Sequence, residues 1–192
     1  MPELILASTS PHRRALLERL RVPFSVIAPG VDESDRVRES PADRAARLAL
    51  EKAQAVSRAH PDALVIGSDQ VAAQDQRVLH KPLNAAVCRA QLLGASGSSV
   101  RFHTGCAALC MRDATRVLHL DTTTVVFRAL ETSQIDRYIE SEQPFDCAGG
   151  FRAEGLGIAL FERIESVDPT ALIGLPLIWL AEVLRRAGWR VP

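Results

Sequence analysis

The sequence lacks a net charge. Its 23 basic and 23 acidic residues balance, whereas a nucleic-acid-binding domain usually carries a basic excess. We therefore expect no nucleic acid partner, although this balance leaves room for a local phosphate pocket. Apolar residues make up 47% and charged residues 24% of the 192 positions, which is ordinary for a soluble globular protein. The length fits one domain over residues 1–192.

Long apolar runs and paired cysteines are also missing. The longest apolar run, 171–181, is too short to cross a bilayer, and the run 4–7 is too short for the core of a signal peptide. No CxxC pair occurs among the four cysteines, which are Cys88, Cys106, Cys110 and Cys147. Free buried thiols are therefore expected, and the scattered histidines do not have the spacing of zinc ligands. We expect a cytoplasmic protein with no membrane partner.

The order of helical and strand patterns predicts the fold class. Strand-like apolar runs occupy 4–7, 24–28, 63–73, 100–109, 117–127 and 158–164, the third of them interrupted at 68–70. Helical patterns begin near residues 11, 41, 85, 131 and 176, three of them behind a capping Ser or Asn. Helices alternate with strands early and strands pair later, so we predict an α/β or mixed α+β fold with a mixed central sheet flanked by helices.

The first chemical signal is the segment Ser8 to Arg14. A strand ends, hydroxyl residues follow, and Ser10 caps a helix whose first turn holds Arg13 and Arg14. Cations at this end oppose the helix dipole, and a bound phosphate would relieve that conflict because helix N-termini bind anions. The alternative is a serine cap beside two solvated arginines.

Lys52 and Asp69 are charged residues in apolar surroundings. Lys52 continues a helical apolar face, where a lysine either finds a partner or extends to solvent. Asp69 follows the buried pattern of 64–68, where a carboxylate is costly unless it is paired, protonated or bound to metal. The alternative is a turn aspartate at a strand end. Glu33, in the acidic loop 29–39, is a second candidate metal carboxylate.

Lys81, before Pro82, completes the set. Three cations (Arg13, Lys52, Lys81) and two carboxylates (Glu33, Asp69) stand at element ends or at unusual positions. Cations neutralise phosphate charge, and carboxylates hold a hard cation such as Mg²⁺ or Mn²⁺. The set predicts metal-assisted attack of water on a phosphate.

A series of short motifs resembles one protein family over nearly the whole chain. The segment 4–14, LILASTSPHRR, resembles the opening of Maf proteins. Further similar segments are VDE at 31–33, EKA at 51–53, GSDQ at 67–70, KP at 81–82, AGGF at 148–151, EGLG at 154–157 and GLPL at 174–177.

The resemblance implies an elongated mixed α/β fold related to inosine triphosphate pyrophosphatases, with a cleft between two lobes. It implies hydrolysis of a nucleoside triphosphate to the monophosphate and pyrophosphate, with a divalent cation such as Mg²⁺, Mn²⁺ or Co²⁺. Asp69, Lys52 and Lys81 match catalytic positions, and Glu33 with Asp69 matches metal positions. The substrate-binding positions that the family places in this chain are Ser8, Ser10, His12, Arg13, Gln70 and Glu154.

Two residues indicate a branch of that family. Gln70 and Glu154 resemble the pairing of the branch that acts on 7-methyl-GTP, whereas branches acting on dTTP and UTP carry Thr and Gln there. A carboxylate can accept from a guanine edge and favours a cationic methylated purine. His12 and His80 depart from the branch pattern. A broader house-cleaning pyrophosphatase and a nucleotide-binding regulator of septum formation remain open, as does a homodimer.

Overall fold

The computed structural model describes residues 2–192. Within this range the strands are β1 (Leu4–Ala7), β2 (Ser25–Ile27), β3 (Leu64–Gln74), β4 (Arg77–Leu79), β5 (Ser99–Cys110), β6 (Thr115–Phe127) and β7 (Phe161–Glu165). The α-helices are α1 (Pro11–Glu18), α2 (Pro41–Ser57), α3 (Ala85–Ala95), α4 (Thr132–Glu142) and α5 (Leu177–Arg186). Every helix in this range is too short or too polar to span a membrane.

The strands form one mixed sheet. Its order is β2-β1-β3-β5-β6-β7, with β4 paired to β3. The pairs β1–β2 and β1–β3 are parallel, whereas β3–β4 and β6–β7 are antiparallel. The predicted mixed α/β class is therefore confirmed.

The chain divides into two compact units built from interleaved segments. The first unit contains the chain up to Gln70, Thr104–Asp121 and Asp168–Pro192, and the second contains Val71–His103 and Thr122–Val167. The single domain over 1–192, the elongated shape and the cleft between lobes stay predictions.

In the first unit, strand alternation separates two buried faces. Leu4 and Leu6 of β1 pack with residues of α1 and α5. Ile5 and Ala7, which point to the opposite face of the strand, pack with residues of α2. The first unit therefore has α1 and α5 on one side of its strands and α2 on the other.

Helix α2 lies unusually close to β3 and β5. A Cβ atom built on Gly67 would lie 2.2 Å from the Ala49 carbonyl oxygen, and one built on Gly105 would lie 2.3 Å from the Ala45 carbonyl oxygen. Only glycine fits at either strand position, because the opposing atoms belong to the helix backbone and cannot move aside alone. This contact determines how close the side chains of α2 lie to β3 and β5.

The second unit has an aromatic centre. Phe151 makes edge-to-face contacts with Phe102, Phe127 and Phe161 at ring-centroid distances of 5.1, 5.5 and 4.8 Å. Such pairs are more favourable than the area they bury alone would suggest. They place the start of the loop 151–155 firmly against β5, β6 and β7.

Two boundary predictions were wrong. The interruption predicted at 68–70 does not occur, because β3 continues from Leu64 to Gln74 and its polar residues find partners on both faces of the strand. The last strand begins at Phe161 and not at residue 158, since 156–160 forms a 3₁₀ turn. Strand β4 was not predicted, because its three residues carry too short a pattern to recognise.

The close approach of α2 gives a testable prediction. Gly67→Ala should lower the free energy of unfolding by about 3 kcal/mol or more, because overpacking against backbone forces the helix outward. Gly94→Ala in α3 is the matched control, since its Cβ would meet nothing nearer than the Gln74 Oε1 atom at 3.9 Å. Urea unfolding should leave that control unchanged or stabilised by up to about 1 kcal/mol. Equal effects of the two changes would contradict the packing argument.

Candidate active site

The turn from β1 into α1 has the predicted serine cap. The Ser10 hydroxyl accepts a hydrogen bond from the Arg13 backbone N–H at 3.4 Å, and the Ser8 hydroxyl accepts one from the Ser10 N–H at 3.1 Å. Ser8 is buried. The turn is thus preorganised by its own side chains at the N-terminus of the helix.

The two arginines of this turn have different surroundings. Arg13 is half-buried and its Nε donates to the Gly174 carbonyl oxygen at 3.0 Å. Arg14 is exposed and pairs with Glu18 one turn later at 3.0 Å. The sequence left open whether these arginines are solvated. Arg14 is solvated, whereas Arg13 is fixed by the hydrogen bond from its Nε atom. His12, between Pro11 and Arg13, is half-buried.

A buried lysine joins two carboxylates. The Lys52 Nζ atom lies 2.6 Å from the Asp69 Oδ1 atom and 2.7 Å from the Glu33 Oε1 atom. The Lys52 side chain is 6% exposed and that of Asp69 10%, whereas that of Glu33 is 58% exposed. Lys52 is therefore a paired buried cation and does not extend to solvent. Asp69 lies within β3 and not at a strand end, so the turn alternative is wrong.

Strand alternation explains why Asp69 meets Lys52. Val65 of β3 packs with α2 residues, and Gly67 lies directly against the α2 backbone. Asp69, two residues further along, points to the same side of the strand. The glycine contact thus brings the helix near enough for the lysine to reach the carboxylate.

Arginines of α2 hold the acidic loop that carries Glu33. The Arg44 Nη2 atom donates to the Glu33 carbonyl oxygen at 2.8 Å. Arg47 forms a two-point pair with Glu39, at 2.5 Å from Nε and 2.7 Å from Nη2. Hydrogen bonding from Arg47 lowers the pKa of the Glu39 carboxyl group below its usual range. The sequence analysis did not identify either arginine. Their spacing places them on one face of α2, and the acidic loop before the helix could have indicated that they bind it.

Gln70 lies on the opposite side of β3 from Asp69. Its Nε2 atom donates to three oxygen atoms, those of the Thr104 hydroxyl at 3.0 Å and of the Ala171 and Leu172 carbonyls at 2.9 Å. Ser68, which shares that side, donates from its hydroxyl to the Gly174 carbonyl oxygen at 2.8 Å.

Lys81 and Glu154 lie in the second unit, Lys81 in an irregular segment and Glu154 in a turn. Both side chains are exposed. The segment that carries Lys81 is held by a bond from the Gln91 side chain to the His80 carbonyl oxygen at 2.9 Å. The Glu154 turn is held by Glu142, whose carboxylate accepts from the Leu156 N–H at 2.8 Å.

The predicted free thiols are confirmed. All four cysteines are unpaired as disulfides, and Cys88, Cys106 and Cys110 are buried. Burial raises the pKa of Cys106 to about 12 and that of Cys88 to about 11. Cys106 and Cys88 are therefore protonated and unreactive near neutral pH.

Comparison with known proteins agrees with the motif series. The model of the family described as "Maf-like protein" matches residues 3–187. The chain belongs to this family. It is 53% identical over 193 residues to a protein of Xanthomonas axonopodis pv. citri named 7-methyl-GTP pyrophosphatase, with all of both chains covered. Proteins with the same name from two strains of Xanthomonas oryzae pv. oryzae match at the same identity and coverage.

Among solved structures, the Ham1 protein of Staphylococcus aureus has a partial likeness to this Maf-like chain. The likeness covers 65% of this chain and 71% of that one, with a TM-score of 0.43 and 13% sequence identity. It is too low to assign a fold, and the fold class rests on the sheet and helices described above.

The buried lysine gives a stability prediction. Lys52→Met should lower the free energy of unfolding by about 3–5 kcal/mol, because it leaves the Asp69 carboxylate buried without its cation. Adding Asp69→Leu should recover most of that loss, since an apolar pair of similar size needs no charge partner. Glu33→Gln is the control and should change stability by less than about 1 kcal/mol, because that carboxylate is mostly exposed. Urea titration measures all four proteins, and a stable Lys52→Met protein would contradict the pairing.

Proposed function

We propose that this protein hydrolyses a nucleoside triphosphate to the monophosphate and pyrophosphate, and that its substrate is 7-methyl-GTP. The observation that carries the proposal is the buried Lys52–Asp69 pair, with Glu33 on the same ammonium group. The names of the full-length Xanthomonas relatives support the substrate. We also propose that the protein is located in the cytoplasm, where such a nucleotide would occur.

Asp69 is proposed as the general base. An ionised carboxylate that accepts the proton of an attacking water must be kept charged although it is buried. The Lys52 ammonium lies 2.6 Å from the Asp69 carboxylate, so this buried carboxylate has a cationic partner. After the proton has moved to Asp69, the same ammonium offsets charge that develops on the phosphate oxygens.

The donor set fits a divalent cation. Glu33 and Asp69 both reach the Lys52 Nζ atom, so their nearest oxygens are no farther apart than the sum of the two distances. Two carboxylates of this kind suit a hard ion such as Mg²⁺, Mn²⁺ or Co²⁺, and Glu33 and Asp69 would hold it. When bound, such an ion polarises phosphate oxygens and lowers the pKa of water.

Arg13, Lys81 and the Ser8–Ser10 turn are proposed to bind phosphate. Backbone N–H groups at the start of α1 and a positive dipole end suit an anion. The Nε of Arg13 is engaged by Gly174, and a guanidinium has further donors at Nη1 and Nη2 that match phosphate oxygens. Lys81, exposed beside the buried Pro82, offers a second cation. His12 lies in the same helical turn as Arg13.

Glu154 is proposed to select the base. Its turn follows the aromatic centre of the second unit and is fastened to the end of α4 by Glu142. A carboxylate prefers methylated guanine for two reasons, a donor edge and a positive charge. A hydrogen bond to a charged group contributes about 1.5–3 kcal/mol, which corresponds to a preference of roughly tenfold to hundredfold.

Asp69→Asn tests the base. Turnover should fall by at least about 10²-fold, because general-base catalysis contributes about 10²–10⁴-fold. Pyrophosphate release from 7-methyl-GTP measures it, with circular dichroism to verify folding. Asp113→Asn, an exposed turn aspartate, is the control and should keep full activity. An Asp69→Asn protein that is folded and retains more than a tenth of the activity would refute the role.

Arg13→Ala and Arg14→Ala form a matched pair on one helical turn. Arg13→Ala should reduce kcat/KM by roughly tenfold to hundredfold for every nucleotide alike, because it removes charge-assisted bonds to phosphate. Arg14→Ala should have little effect, since that arginine pairs with Glu18 in solvent. Kinetics with 7-methyl-GTP, GTP and UTP check both. A change of base preference in the Arg13 variant would count against phosphate binding.

Glu154→Gln tests the choice of substrate. It should lower kcat/KM for 7-methyl-GTP by roughly tenfold and leave UTP unchanged or improved, because it removes the negative charge that a methylated guanine prefers. Glu162→Gln, at an exposed glutamate of the same unit, is the control. If the wild-type protein hydrolyses UTP or dTTP faster than 7-methyl-GTP, the assigned substrate is wrong and a broader pyrophosphatase replaces it.

A further inference from the structure

The turn at 171–174 is bound to β3 by two side chains on one side of that strand. The Gln70 Nε2 atom donates to the Ala171 and Leu172 carbonyl oxygens, both at 2.9 Å. The Ser68 hydroxyl, two residues earlier, donates to the Gly174 carbonyl oxygen at 2.8 Å. Both ends of the turn are thereby attached to the strand that carries Asp69.

Thr104 of β5 strengthens the same attachment. Its hydroxyl donates to the Ala171 carbonyl oxygen at 2.9 Å and accepts from the Gln70 Nε2 atom at 3.0 Å. Thr104 is completely buried. The Gln70 amide nitrogen has two hydrogens and three acceptors around it, so its donating capacity is used entirely within the protein.

The segment 171–174 also binds Arg13. The Gly174 carbonyl oxygen accepts from the Arg13 Nε atom at 3.0 Å as well as from Ser68. Gly174 has a φ of +120°, and a Cβ atom there would lie 3.3 Å from that same Nε. The Arg13 guanidinium is therefore anchored to a backbone segment that Gln70, Thr104 and Ser68 all bind.

We propose that Gln70 and Thr104 are positioning residues for the guanidinium of Arg13, and that Gln70 acts on the phosphate chain of the substrate through Arg13 and not on its base. The proposal rests on the phosphate role of Arg13 in the proposed function. Its physical basis is that a displacement of about 1 Å in a binding group can cost up to about 10²-fold in rate. An arginine anchored through one carbonyl follows any shift of that carbonyl.

The test uses a ligand that has no base. Inorganic triphosphate with Mg²⁺ is titrated into the full-length wild-type protein, Gln70→Met, Arg13→Ala and the double variant by isothermal calorimetry. Methionine keeps the length of the side chain and removes the donors. Gln70→Met should weaken binding by roughly tenfold. The double variant should bind no more weakly than Arg13→Ala alone, because residues that act through one another are not additive.

Kinetics separate positioning from base selection. Gln70→Met should raise KM for 7-methyl-GTP and UTP by the same factor and leave their ratio unchanged, whereas Glu154→Gln alters that ratio. Thr104→Val removes the hydroxyl and keeps the shape, so it should reproduce the Gln70→Met effect. It also serves as the test variant if the Gln70 change prevents folding.

Three results with the variants would overturn the proposal. They are unchanged triphosphate affinity in Gln70→Met or Thr104→Val, additive effects with Arg13→Ala, and an altered ratio of 7-methyl-GTP to UTP. A wild-type protein that releases pyrophosphate but binds no triphosphate would also overturn it while leaving the proposed function intact. A wild-type protein that binds triphosphate through Arg13 and Gln70 but releases no pyrophosphate would refute the proposed function alone.

Discussion

The first unit depends on the ion pairs that the Lys52 ammonium group forms with two carboxylates. This group lies between the carboxylates of Asp69 and Glu33 at 2.6 and 2.7 Å. A buried charge is tolerated only with a partner, so lysine and aspartate require one another. The pair gives a nearly buried carboxylate a cationic partner at 2.6 Å.

Several features of the unit deliver these three groups to one place. Gly67 and Gly105 let α2 approach the strands closely, which brings Lys52 within reach of Asp69. Arg44 and Arg47 attach the acidic loop to the same helix, and Glu33 is carried with it. The chemistry of the site therefore depends on backbone packing as much as on the charged residues themselves.

The side chains on the two sides of β3 contact different segments of the chain. Asp69 faces α2 and its lysine, whereas Ser68 and Gln70 face the turn at 171–174. A strand with period 2 makes this division automatic. It also explains why a run of three polar residues did not end the strand, as the sequence pattern had suggested, since each of the three has a hydrogen-bonding partner.

The sequence by itself determined the helices, most strands and the list of charged residues in unusual positions. Apolar periodicity and serine or asparagine caps are local properties, and they favour helices and strands whatever distant segments the chain later contacts. Only the tertiary structure decided that Lys52 is paired and not solvated, and that Gln70 bonds to a turn a hundred residues away. Those outcomes depend on which distant segments meet, and no local pattern records the partner that a buried polar group will find.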